Sequence, residues 1–166
     1  MLMTEENLLE LKTCLYELEN SELPKVQAEV SNAAQGGDLR ENQAYEVAMD
    51  ALKILIAKIE EYHRAVNETE IEKYNPNSNA LQLDDWVELI DSKGNVYIRK
   101  LVGISPILGD SSKGEMSIDS PVGKSIYGKL RGTTSVVINK DVIEYKFRKI
   151  GHGEKPDEDY KNDTGK

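Results

Sequence analysis

The sequence predicts an α+β protein in two parts: an N-terminal antiparallel coiled-coil helical hairpin, then a small antiparallel-sheet domain with one short helix. Three observations predict it. Apolar residues recur at 3-4 spacing through the first 66 positions, the seam of a coiled coil. The pair Gly36-Gly37 interrupts that seam near its middle. Past a polar stretch at Tyr74–Asn79 the period changes to the short alternating runs of strands.

The first helix carries Leu8, Leu11, Leu15 and Leu18 on one stripe, resumed by Val26, Val30 and Ala33. Pro24 interrupts it, because a proline in a helix interior costs about 3 kcal/mol but is tolerated at a first turn. A kink, or a restart capped by Ser21, is expected there. A second helix is expected to open at Asp38, with the seam Tyr45, Ala48, Leu52, Leu55, Ile59, Tyr62 and Val66. Two such helices joined by a short turn lie antiparallel, so that each seam buries the other. A helix of about thirty residues spans roughly 45 Å, with residues 36–41 at the turn.

Strands are expected at Trp86–Ile90, Val96–Ile104, Met116–Asp119, Thr134–Ile138 and Val142–Ile150. A short helix starts at Ser120-Pro121, a cap followed by a first-turn proline. The expected organisation is a hairpin over 1–74, a linker over 75–81, a sheet domain over 82–150 and a disordered tail over 151–166. That tail is charged and poor in apolar residues.

The chain of 166 residues has 30 acidic and 21 basic side chains, a formal net charge of −9. Across 1–73 acids outnumber bases about two to one. Free DNA or RNA binding through a broad basic face is thereby excluded, since phosphate contacts need Lys and Arg. The single cysteine, Cys14, permits no internal disulfide. The first residues, MLMTEENLLELK, are acidic where a secretion signal is basic. No apolar run approaches the roughly 20 residues of a membrane helix. A cytoplasmic protein without membrane contact is expected.

The residues with chemical interest cluster at the turn: Gly36-Gly37-Asp38-Leu39-Arg40-Glu41-Asn42. Asp38 and Glu41 stand three apart at a helix start, which can set both carboxylates on one side of the first turn. The same spacing makes a capping box, a purely structural device, and on spacing alone that is the commoner case. Magnesium is often held by one or two carboxylates together with phosphates and waters. An exposed acidic pair could therefore complete a metal site supplied mostly by another molecule. Lys25 and Arg40 are the bases nearest the turn. His63 and His152 read as surface residues. Phosphate loops and Ser-His-Asp signatures are absent.

The run Gly37–Tyr45 resembles the hairpin-tip motif G-D-L-S/K-E-N-A-E-Y of the bacterial Gre factors. The run Ile118–Lys129 resembles their I-S-x-x-S-P-l-g/a-r-a-l-l-G-K stretch, and Tyr97–Gly103 their Y-x-I-V-G strand. The resemblance covers about residues 4–150. It implies an FKBP-like fold for the sheet domain and a factor that inserts its hairpin into the secondary channel of RNA polymerase. There it would assist cleavage of backtracked nascent RNA near the 3′ end, as a cofactor of the polymerase's own activity more than as an enzyme. By the resemblance Asp38 and Glu41 are the catalytic acids and share Mg2+ with the polymerase. Asn42 and Tyr45 shape the tip. Asp119, Ser120 and Pro121 match the stretch that contacts the polymerase. The chain departs from the family at Leu23-Pro24, where Arg-Pro is common, and at Gln43-Ala44, where Ala-Glu is usual. The poverty in bases places it nearer GreA than GreB. Three alternatives remain open: a channel-binding regulator without cleavage activity, a prolyl isomerase and a coiled-coil adaptor.

Overall fold

A computed structural model of the chain describes residues 1–35 and 42–156. The chain divides into a helical unit, Glu6–Thr69, and a sheet unit made of Met1–Glu5 with Glu70–Lys166.

The helical unit contains α1 (Glu5–Glu17, begun within the sheet unit's first residues), a π-helical turn (Leu18–Glu22), α2 (Leu23–Ala34) and α3 (Gln43–Asn67). The 25 residues of α3 run roughly 37 Å at 1.5 Å per residue. The seam read from the sequence is the buried face. Leu11 and Leu15 of α1, and Ala48, Ile59 and Tyr62 of α3, are buried. Tyr45, Leu52, Leu55, Val26, Val30 and Ala33 are half-buried between exposed neighbours. Two contacts show that the helices of the hairpin run antiparallel. Asn42 Nδ2 donates to Ala33 O at 2.7 Å, and His63 Nε2 meets Glu19 Oε1 at 2.7 Å. Advancing along one helix thus means retreating along the other.

Pro24 is accommodated without a break. A normal helical turn would press its ring against the carbonyl four residues back. Instead the turn before it is widened, with the Leu23 N–H donating to Leu18 O, five residues back. The Ser21 cap expected from the sequence does not form. The residue before α2 is Glu22, itself helical at φ −76°, ψ −44°, with no side-chain cap.

The sheet unit has strands β1 (Leu2–Met3), β2 (Glu70–Ile71), β3 (Asp85–Asp91), β4 (Val96–Val102), β5 (Glu115–Ser117), β6 (Arg131–Ile138) and β7 (Asp141–His152), with one short helix α4 (Pro121–Ile126). Five strands form one sheet in the order β5-β4-β3-β7-β6. Its pairings are antiparallel except β4 with β5, which run parallel. The sheet is therefore mixed, not wholly antiparallel. Residues directly opposite across a strand pair share a face. One face sets Leu89 beside Tyr97 and Phe147. Together with Leu81, Leu83, Val87, Leu101, Met116, Ile118 and Ile126 these side chains form the core.

Two boundaries differ from the sequence expectation. Residues 1–5 and 70–74 belong to the sheet unit, because β1 and β2 pair in parallel there, Leu2 with Glu70 and Met3 with Ile71. Two-residue strands carry no period, so the sequence assigned them to the hairpin. In addition β7 runs on to His152, beyond the expected tail boundary at 151. Its anchor is Asp85, fully buried, which accepts from the Gln82 N–H at 2.8 Å and meets Lys149 at 2.7 Å and His152 at 2.8 Å. His152 also stacks on Tyr74 at 3.6 Å.

Candidate functional site

In the helical unit, Asp38 and Glu41 lie outside the described residues, as does Arg40. The helix ends on either side of them are described. α2 closes at Ala34, and α3 opens at Gln43 rather than at Asp38, because Asn42 at φ −89°, ψ 89° is already outside helical space. Asn42 is the cap of α3: its Oδ1 accepts from the Tyr45 N–H at 3.1 Å. Its Nδ2 donates across to Ala33 O in the last turn of α2. One amide side chain thus caps the first turn of one helix and adds a bond to a carbonyl in the last turn of the other. An ionised carboxylate could supply only the cap, since it offers no donor. Tyr45 is half-buried one turn into α3. Lys25 pairs with Glu22 at 2.8 Å on the exposed surface.

Asn42→Ala is expected to remove both bonds and cost about 2 kcal/mol, near 1 for the cap and near 1 for the second bond. Urea unfolding of the full chain measures it. Asn42→Asp should recover the cap but not the cross-hairpin bond, and should fall between the two.

In the sheet unit, Asp119, Ser120 and Pro121 form the entry to α4. Ser120 at φ −64°, ψ 155° accepts from the Gly123 N–H at 3.0 Å, and Pro121 takes the first helical turn. Ser117 holds the preceding turn. Its carbonyl accepts from the Ser120 N–H at 3.0 Å, and its Oγ accepts from the Asp119 N–H at 3.1 Å. Asp119 is exposed and meets Lys124 at 2.6 Å. Pro121 is exposed, while Ile118 and Ile126 anchor the segment in the core. The result is a hydrogen-bonded rim with an exposed carboxylate and an exposed proline.

One contact of α4 was not foreseen from the sequence. The Tyr127 hydroxyl bonds the Glu72 carboxylate, whose other oxygen accepts from the Leu83 N–H at 3.0 Å. Burial first, then the Glu72 carboxylate, pushes the phenol well above its usual range. Nothing in local spacing could link residues 55 positions apart.

Among the described residues no three His, Cys, Asp or Glu side chains gather to hold a metal ion. A two-carboxylate donor set suits only a magnesium ion whose remaining ligands come from elsewhere. No helix among the described residues is long and apolar enough to cross a membrane.

Residues 1–71 match the family model for the N-terminal part of the GreA/GreB transcription elongation factors. The transcription elongation factor GreA of Amoebophilus asiaticus is 37% identical over 138 residues, covering 81% of this chain and 85% of that protein. GreA of Christiangramia forsetii is 31% identical over 149 residues, covering 85% and 93%. Among solved structures the transcription factor Gfh1 aligns over 91% of this chain and 97% of that one, at 19% identity and a TM-score of 0.45. With relatives above 30% identity spanning most of both chains, this chain belongs to the GreA family of transcription elongation factors.

Proposed function

We propose that this protein binds RNA polymerase in the cytoplasm, enters its secondary channel with the helical hairpin, and stimulates the polymerase's own cleavage of backtracked nascent RNA. The observation that carries the proposal is the pair Asp38 and Glu41 in the run Gly37–Asn42, set between two helix ends that Asn42 ties together. Asp38 and Glu41 supply carboxylate oxygens for a magnesium ion shared with the polymerase. An ion held there would supply charge neutralisation for cleavage of the phosphodiester. Asn42 and Tyr45 keep the bases of the two helices in register. Asp119, Ser120 and Pro121 contact the polymerase through the rim before α4. The chain binds no free DNA, since its net charge is −9.

The test uses backtracked bacterial elongation complexes carrying 5′-labelled RNA, with magnesium. Shortened RNA that can be re-extended on adding nucleotides supports the proposal. Unshortened RNA, with the protein bound to the polymerase, would instead identify a channel-binding regulator.

A further inference from the structure

We propose that the acidic run Asp157-Glu158-Asp159 of this chain docks on a basic strip, Arg131 with Arg148, on the outer face of its own sheet.

The strip follows from the register. Glu88 on β3, Arg148 on β7 and Arg131 on β6 stand directly opposite one another across three strands. Opposed residues share a face, here the one turned away from the core residues Leu89 and Phe147. Two arginines placed directly opposite repel one another. Glu88, which is buried, answers one of them: Arg148 Nε donates to its Oε1 at 2.6 Å. Arg131 is exposed, and so is Lys146, the next residue of β7 on this face. Among the described residues neither forms an ion pair with a carboxylate. Three cations on the outer face are thus set against one buried carboxylate.

The course of the chain after β7 supplies the occupant. The backbone turns at Gly153, φ 70°. The Gly153 carbonyl accepts from Trp86 Nε1 at 3.0 Å, and its N–H donates to Asp84 O at 2.9 Å. Trp86 stands two residues before Glu88 on β3 and so on the same outer face, yet it is buried. Pro156 then lies over Gly151. A Cβ added to Gly151 would share the face of its partner Trp86 and stand 3.4 Å from Pro156 Cγ. From Gly153 to Pro156 the chain has therefore crossed from β3 to β7, and the next strand in that direction is β6. Asp157, Glu158 and Asp159 follow Pro156 directly. Arg148 is three positions along β7 from Gly151, and Arg131 is one strand further. Together that is about 11 Å, at roughly 3.3 Å per residue and 4.8 Å between strands. Three residues extend about 10 Å, and the arginine side chains cover the rest. Direction, reach and charge thus select the same segment. Seated there, the run neutralises the strip and keeps it from the phosphates of other molecules.

The test uses the full chain with Cys14→Ser and two added cysteines. Tyr160→Cys, just past the acids, is combined with either Thr133→Cys or Val96→Cys. Thr133 lies opposite Lys146, Lys146 opposite Ile90 and Ile90 opposite Val96. Both exposed sites therefore share the outer face at one level of the sheet, Thr133 on the β6 side and Val96 on the β4 side. They are about 17 and 19 Å from Gly151 by strand geometry, so an undirected segment would close either disulfide at a similar rate. Under mild oxidation the intramolecular 133–160 disulfide should form about fivefold faster than 96–160, the preference that two or three exposed ion pairs give together. Arg131→Gln, or Asp157→Asn with Glu158→Gln and Asp159→Asn, should remove that preference. Salt at about 1 M, where the Debye length is about 3 Å, should reduce it. Equal closure of the two cysteine pairs would overturn the proposal and leave the strip to an anion of another molecule. A preference that survives neutralising the three acids would overturn it as well.

Discussion

Gly103→Ala is expected to destabilise the sheet unit by about 3 kcal/mol, at the upper end of what overpacking costs. An added Cβ would stand 2.1 Å from Leu2 O and 2.8 Å from Met3 Cα. Both obstacles are backbone, so no side-chain rotation relieves them. They are also fixed: Leu2 O accepts from the Ile104 N–H at 2.8 Å, and Met3 is fully buried. Accommodating the methyl group means lifting β1 away from the strand it lies against. Gly123→Ala meets the same kind of obstacle, Ser117 O at 2.1 Å, and would displace the turn that presents Asp119. Gly94→Ala is the control. Gly94 has φ 84° but nothing within 4 Å of the added atom. It should cost only about 1 kcal/mol of backbone strain. Thermal or urea unfolding of the three variants separates crowding from strain. Equal losses at 94, 103 and 123 would mean that β1 is not seated as described.

The second large effect concerns activity. Asp38→Ala with Glu41→Ala should lower stimulated RNA cleavage by about 100-fold or more. Removing groups that stabilise transition-state charge commonly costs about 3 kcal/mol, which is about a hundredfold in rate. If both carboxylates serve one ion, each single variant should cost nearly as much as the double. Polymerase affinity should hardly change, because Asp119, Ser120 and Pro121, the residues proposed above to contact the polymerase, are untouched. The two variants also separate fold from chemistry, since neither acid belongs to the Asn42 bonds that tie α2 to α3.

Much of this anatomy was legible from sequence where a period or a local chemical rule fixes it. The seam from Leu8 to Val66 follows from 3-4 spacing, and every one of its named residues on α3 is at least half-buried. The start of α4 follows from Ser120-Pro121, and the β6–β7 hairpin from two apolar runs flanking Asn139-Lys140-Asp141, of which Asn139 and Lys140 take positive φ. What was illegible is non-local. The β1–β2 pair joins residues 68 apart and has two residues per strand. The parallel β4–β5 pair has no turn to announce it. Tyr127 and Glu72 meet only after folding. The cap of α3 was misplaced because Asp38 is chemically as good a cap as Asn42. Only the bond to Ala33, on another helix, distinguishes Asn42. The acidic pair itself was legible as a motif and as nothing more, since carboxylates three apart also suit a capping box.

The most direct measurement is the rate of RNA cleavage in one set of backtracked complexes, with wild type and with the Asp38→Ala/Glu41→Ala variant, each at a concentration that saturates the polymerase. Fast shortening with wild type, and shortening reduced to the factor-free rate with the bound variant, is the predicted result. Equal rates for the two proteins, or no stimulation by saturating wild type, would contradict the assignment of cleavage to these two carboxylates.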